Sequence, residues 1–67
     1  MSPQVRMIND IAVQFRHQAP DAAAAAIAEH VRAFWDPRMR AELMRRVESE
    51  PQGLDPLALA AARLLST

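Results

Sequence analysis

The sequence predicts an all-α fold, a small bundle of three main helices plus a short C-terminal helix. Three dipeptides pair a capping side chain with a proline, which suits the first helical position because its φ is fixed and it lacks an N–H: Ser2-Pro3, Asp36-Pro37 and Asp55-Pro56. Strand signals are absent, since β-branched alternation does not occur and the only glycine is Gly53. We expect one helical domain over residues 1–67, with helices at about 3–18, 22–35, 37–49 and 56–65.

The first two helices are amphipathic at about 100° per residue. The core-facing residues of the first are Val5, Ile8, Ile11, Ala12 and Phe15. Those of the second, which has His30 at the margin of its apolar stripe, are Ala23, Ile27, Val31, Phe34 and Trp35. Asp21, after Pro20, is the predicted cap of this helix. Its alanine run at 22–26 favours helix and lets a neighbouring element approach closely.

The last two helices are less regular. In the third, Arg40 falls on an apolar arc that contains Met39, Leu43, Met44 and Val47. A charge there must extend to solvent or be paired, and Asp36, one turn earlier, is the nearest candidate partner. The leucines of the fourth helix spread around it, and Arg63 is its only charged residue. We therefore expect this helix to pack on the domain with one side and on another chain with the other.

The composition limits the classes of function. A chain of 67 residues buries only about 60% of the surface that its unfolded form exposes, so a partner is expected to complete the core. The chain has no cysteine, which excludes disulfides and thiolate metal sites. No apolar run approaches the roughly 20 residues that span a bilayer, and the amino terminus has no secretory signal pattern. We expect a cytoplasmic protein without a membrane partner.

No catalytic or metal-ligating pattern is found. Tyrosine is absent, and the serines lie at helix edges or near a terminus, with no histidine placed to activate them. His17 and His30 lie thirteen residues apart, which is not a recognised ligand spacing. His17 falls on the polar side of the first helix, where solvation is the simplest interpretation. The prediction is no catalytic residue, no metal and no cofactor bound by this chain.

Nucleic-acid binding is the alternative function. A small helical domain with four arginines on one helix is compatible with a helix-turn-helix reader, and the third helix carries Arg38, Arg40, Arg45 and Arg46. Glu42 falls four residues after Arg38 and four before Arg46, so internal ion pairs are available. The formal net charge of zero provides no general field for a polyanion. The balance favours no nucleic-acid partner.

Protein association is the favoured function, because one short segment concentrates residue types that are enriched at interface centres. Trp35, Arg38, Met39 and Arg40 lie within six residues, and Trp, Arg and Met are such residues. Three structural interpretations stay open: Trp35 as a core residue at the corner between two helices, His30 as a boundary residue packed on the Phe34 ring one turn away, and the arginines of the third helix as a solvated face. The predicted partner-binding residues are His30, Phe34, Trp35, Arg38, Met39 and Arg40.

The run from His30 to Arg40 also resembles the hallmark of a known family, the small delta subunit of soluble NAD-dependent formate dehydrogenases that contain molybdenum or tungsten. Weaker similarity lies in the first helix, at Arg6, Met7, Asn9, Ile11 and Ala12, and at the start of the last, from Gly53 to Leu57. The resemblance spans about Val5 to Leu65, and the alanine run at 22–26 departs from it.

The resemblance implies a non-catalytic accessory subunit. Its partner would be the catalytic subunit of formate dehydrogenase, and its role would be to support assembly, cofactor loading or stability. Formate oxidation, and the molybdenum or tungsten cofactor, iron–sulfur clusters and flavin that it uses, would belong to other subunits. The leucines of the last helix also allow a homodimer of the isolated chain.

Overall fold

Four α-helices follow one another in the computed structural model, which describes residues 2–66. A 3₁₀ turn, Pro51–Gly53, links the third helix to the fourth. The helices are α1 (Pro3–Gln14), α2 (Pro20–Phe34), α3 (Pro37–Ser49) and α4 (Pro56–Leu65). No strand occurs in the described residues, and the predicted all-α class is confirmed. Within residues 2–66, none of the helices combines the length and the apolar character needed to cross a membrane.

The three predicted caps begin α1, α3 and α4, and proline follows each cap. In each, a side-chain oxygen accepts a hydrogen bond from a backbone N–H of the first turn: Val5 to Ser2 at 3.2 Å, Met39 to Asp36 at 2.9 Å and Leu57 to Asp55 at 2.9 Å. These bonds satisfy donors that have no partner inside the helix. The starts of these helices are therefore determined locally, by two adjacent residues each.

Two predicted boundaries are wrong. α2 begins at Pro20 rather than residue 22, with Ala19 at the cap position and no side-chain cap bond, so Asp21 is not the cap. Asp21 lies in the first turn of α2, where its negative charge interacts favourably with the positive end of the helix dipole. α1 ends at Gln14 rather than at residue 18, and the N–H of Phe15 turns back to the carbonyl of Ala12 at 3.1 Å.

α2 and α4 make the most extensive contact between any two elements. Both begin near the turn at Arg16, and at their other ends Arg32 donates to the carbonyl oxygen of Leu64 at 3.2 Å, so they run in the same direction. Their buried sides are rich in alanine: Ala23, Ala24 and Ala28 on α2, and Ala58, Ala61 and Ala62 on α4. Small side chains allow the two helices to approach closely, as the alanine run predicted.

α1 and α3 complete the core. The largest fully buried side chains come from three helices: Ile8, Ile27, Val31 and Leu43. Met39, Met44 and Val47 of α3 are partly buried and pack against this core, as does Leu57 of α4. Apart from Phe34, the predicted core residues of α1 and α2 are buried or pack at the edge of the core.

The linker between α3 and α4 is held to α1 by Asn9. Its amide nitrogen donates to the carbonyl of Gly53 at 3.0 Å, and its amide oxygen accepts from the backbone N–H of Asp55 at 2.8 Å. Arg16 donates to the carboxylate of Asp55 at 2.6 Å. The pKa of Asp55 is lowered, chiefly by this bond and also by the N–H of Leu57. These contacts fix where α4 starts relative to α1.

Candidate partner-binding surface

The corner between α2 and α3 separates two adjacent aromatic side chains. Phe34 is the last residue of α2, and Trp35 and Asp36 have extended backbones, with ψ of 139° and 168°. The chain therefore changes direction between the two rings. Trp35 is 5% exposed and Phe34 is 75% exposed. The corner thus has one ring in the core and one on the surface.

Trp35 belongs to the core. It is part of the same buried cluster as Val31, Leu43 and Leu54. The core interpretation of this residue is therefore supported, and with 5% of its area exposed it offers a partner almost no contact. Trp35 lies beneath the candidate surface and fixes the corner that carries it.

Phe34 is the most exposed of the large apolar side chains that the structure shows on its surface. Its helical phase predicted a place in the apolar stripe of α2, and that prediction is wrong, although Val31 and Trp35 on either side of it in the chain are buried. The ring packs instead on the imidazole of His30, with 4.8 Å between ring centroids and 37° between planes. This contact supports the interpretation of His30 as a boundary residue on an aromatic ring. It also leaves most of the Phe34 ring open to a partner.

Arg40 is half-buried at the edge of the apolar side of α3. Its predicted ion pair with Asp36 does not form; the Oδ1 of Asp36 accepts the backbone N–H of Met39 as the cap of α3. No other carboxylate within residues 2–66 pairs with Arg40. Its charge therefore depends on solvent on its exposed side.

The second half of α3 carries a closed network of ion pairs. Glu42 accepts from Arg45 at 2.6 Å through Oε1 and from Arg46 at 2.7 Å through Oε2, and Arg46 also reaches Glu50 at 3.0 Å. Hydrogen bonds, first from Arg45 and then from Arg46, lower the pKa of Glu42. The hydrogen bonds that Arg46 donates, first to Glu42 and then to Glu50, raise its own pKa. Both carboxylate oxygens of Glu42 are occupied, and the Arg38–Glu42 pair that the spacing allowed does not form.

Arg38 is exposed and has no ion pair in the part of the chain that the structure describes. It lies along an open groove of about 510 Å³ between the first turn of α1 and α3, which is also lined by Ser2, Pro3, Gln4 and Met39. Residues two apart on a helix point in different directions, so Arg38 and Arg40 lie on different flanks of α3. We call four residues the corner surface: Phe34 and Arg38, which are exposed, and His30 and Arg40, which are half-buried.

The other residues singled out in the sequence contribute less to the candidate surface. Met39 is half-buried and packs against the core, so it contributes mainly to holding α3 in place. His17 is exposed, as predicted. Within residues 2–66, no three His, Asp or Glu side chains are grouped so as to hold a metal ion. Asn9 is the structurally important residue that the sequence analysis missed, because its linker partners lie 44 and 46 residues away.

Comparison with known proteins gives one match. The family model described as NADH-dependent formate dehydrogenase delta subunit FdsD matches residues 4–62. No curated protein and no solved structure matches the chain significantly. The matched range includes α1, α2, α3 and more than half of α4, with the whole corner surface. The chain therefore belongs to the family of NADH-dependent formate dehydrogenase delta subunits.

Proposed function

We propose that this chain is a non-catalytic accessory subunit of a cytoplasmic formate dehydrogenase. It binds the catalytic subunit as one helical domain and supports assembly, cofactor loading or stability of the complex. Membership of the delta-subunit family supports the identity of the complex. The exposed ring of Phe34, beside two unpaired arginines, supports binding through the corner surface. Redox chemistry and its cofactors belong, in this proposal, to the other subunits.

The observation that carries the proposal is the 75% exposure of Phe34. An isolated apolar residue on a surface needs no explanation, but this ring is rigidly placed. It lies directly before the buried Trp35 and packs on the His30 ring with 4.8 Å between centroids, so its rotamers are restricted before any partner arrives. Full burial of a Phe side chain contributes about 1.5–3 kcal/mol. A pre-organised ring keeps more of that energy for binding than a mobile one.

Nucleic-acid binding, the alternative function, has less support in the structure than in the sequence. Two of the four arginines on the third helix, Arg45 and Arg46, are engaged by Glu42, and Arg46 is also engaged by Glu50. Only Arg38 and Arg40 of that set stay unpaired in the described residues, and they lie on different flanks of α3. No observation favours this function over protein binding.

Co-purification tests the proposal. The tagged chain is expressed with the catalytic subunit, and the amount of catalytic subunit recovered is compared between the unsubstituted chain and Phe34→Ala. We expect Phe34→Ala to reduce affinity about tenfold or more, the loss expected for burial of a Phe ring. Val13→Ala is the matched control, because Val13 is also apolar and 53% exposed but lies near the end of α1. Equal recovery with Phe34→Ala and Val13→Ala would reject the corner surface as the binding site.

A further inference from the structure

We infer that the partner face that covers the corner surface is acidic, with an apolar pocket for Phe34 and carboxylates placed to pair with Arg38 and Arg40. This inference rests on the proposed function, because it specifies the chemistry of the partner at the same surface.

The first step is the local imbalance of charge. The chain has eight arginines and eight acidic residues, so its formal net charge is zero. Four of the carboxylates are already in ion pairs, those of Glu29, Glu42, Glu50 and Asp55. Asp36 is the acidic residue nearest in sequence to Arg38 and Arg40, and it caps α3. Neither arginine has a carboxylate within ion-pair distance among the described residues, so each guanidinium is left to water or to a partner.

The second step is what docking does to these charges. Arg38 and Arg40 follow Phe34 by four and six residues, so we expect a partner of ordinary interface size that covers Phe34 to remove water from them as well. A guanidinium that loses water without gaining an acceptor opposes binding strongly. A carboxylate reverses this effect, because it accepts two parallel hydrogen bonds from the planar guanidinium group. Docking at the corner therefore favours an acidic partner face.

The third step is the direction of the two side chains. Arg38 lies along the groove beside the first turn of α1, and Arg40 lies on the other flank of α3. Carboxylates that meet both arginines must lie on two sides of the start of α3. This arrangement fixes the orientation of the chain as well as its affinity, which is the usual effect of complementary charges at an interface.

Arg40→Met tests the inference by the sign of its effect. Methionine is similar in length, is a good helix former and suits the apolar edge of α3. If a carboxylate faces Arg40, the substitution leaves that carboxylate unpaired, and affinity should fall about tenfold or more. If the partner face is apolar, affinity should stay the same or rise. The measurement is titration of the full chain into formate dehydrogenase purified without this subunit, with the thermal midpoint of each free variant measured in parallel.

Arg63→Met is the matched control, because it removes the same charge from an exposed position on α4. Arg63 has no ion pair among the described residues and does not line the groove that Arg38 lines. We expect Arg63→Met to change affinity less than about threefold, as is typical of a residue outside the contact. Raising NaCl from about 50 mM to 500 mM should weaken the unsubstituted chain more than Arg40→Met, because salt screens exposed charges.

The outcomes separate the two proposals. Absence of binding by the unsubstituted chain at low salt would reject the proposed function and this inference together. Binding that Phe34→Ala weakens but Arg40→Met leaves equal or tighter would reject the acidic face and keep the proposed function. Comparable, salt-sensitive binding of the free chain to a DNA duplex would assign Arg38 and Arg40 to phosphate recognition and would also reject the inference.

Discussion

Each half of α3 has two arginines, but the two halves differ in whether those arginines are in ion pairs. In the second half, Glu42 bonds to both Arg45 and Arg46, and every oxygen of that carboxylate is used. In the first half, Arg38 and Arg40 have no ion pair among the described residues. The difference comes from which side chains meet, because Glu42 turns toward Arg45 and Arg46 although its spacing from Arg38 is the same as from Arg46. Spacing alone therefore does not identify which arginines are available to a partner.

The same contrast occurs between the two aromatic residues at the corner. Trp35 and Phe34 are adjacent in the chain, and one is 5% exposed while the other is 75% exposed. We expect Trp35 to determine the stability of the domain and Phe34 to determine its binding. The variants below test this division and the division within α3.

Of the variants considered, Trp35→Ala should lower the free energy of unfolding most. Removing a buried Trp from a core costs about 3–5 kcal/mol, which is most of the stability of a small domain. Phe34→Ala should change the free energy of unfolding by less than about 0.5 kcal/mol, because most of the ring is already in water. Urea unfolding followed by far-UV circular dichroism measures both. Similar losses for the two variants would remove the distinction between a structural ring and a binding ring.

Asp36→Ala should have the next largest effect. The side chain of Asp36 caps α3 by accepting the N–H of Met39 at 2.9 Å. Loss of such a cap costs about 1 kcal/mol, or about 4–8 °C in the thermal midpoint of a domain of this size.

Asp36→Asn is the control for the cap. Asparagine also caps helices well, so this variant should stay close to the unsubstituted chain. If Asp36→Asn is as unstable as Asp36→Ala, the carboxylate acts through its charge, and the unpaired state of Arg40 would need to be reconsidered.

The fold was predictable where the signal is local. The starts of α3 and α4 are those given by Asp36-Pro37 and Asp55-Pro56, because cap and proline are adjacent in sequence. The end of α1 was not predictable in this way, since residues 15–18 carry no proline or glycine to stop a helix. The Asn9 contacts with the α3–α4 linker were missed because they join residues far apart in sequence.

The candidate surface was predictable only in part. The stacking of His30 on Phe34 follows from their spacing of one helical turn. The exposure of Phe34 does not follow from helical phase, because phase gives the direction of a side chain but not how far the neighbouring elements extend. The predicted pairing of Arg40 with Asp36 was wrong because a spacing of one turn brings two residues close without determining whether their side chains meet. Capping is not the obstacle, since Asp55 both caps α4 and accepts from Arg16.

Asp55→Asn should have a smaller effect that depends on pH. Asparagine can still accept the N–H of Leu57, so the variant removes the ion pair with Arg16 and keeps the cap. Arg16 is largely exposed, and we expect a loss of up to about 1 kcal/mol at neutral pH. Arg16→Gln should show the same loss, and the double variant should show little more.

The sign of this pH dependence follows from the lowered pKa of Asp55 in the folded state. A depressed carboxyl pKa contributes stability at pH above the unfolded-state value of about 3.9, and this contribution is lost as the pH falls through the folded-state pKa. The difference in unfolding free energy between the unsubstituted chain and Asp55→Asn should therefore close in acid. A difference that stays constant down to the lowest pH at which the chain folds would mean that the Arg16 pair is not its cause.

Glu42→Gln should have the smallest effect on stability and gives the most direct test of the comparison within α3. The network is at the surface, so its loss should lower the thermal midpoint by less than Asp55→Asn does, and high salt should remove the difference. The substitution frees Arg45 and leaves Arg46 paired with Glu50 alone, which gives the second half of α3 an unpaired arginine like those of the first half. If the partner recognises the corner surface, affinity for formate dehydrogenase should stay unchanged. If affinity rises, free arginines anywhere on α3 attract the partner, and the position of Arg38 and Arg40 beside Phe34 has no special role.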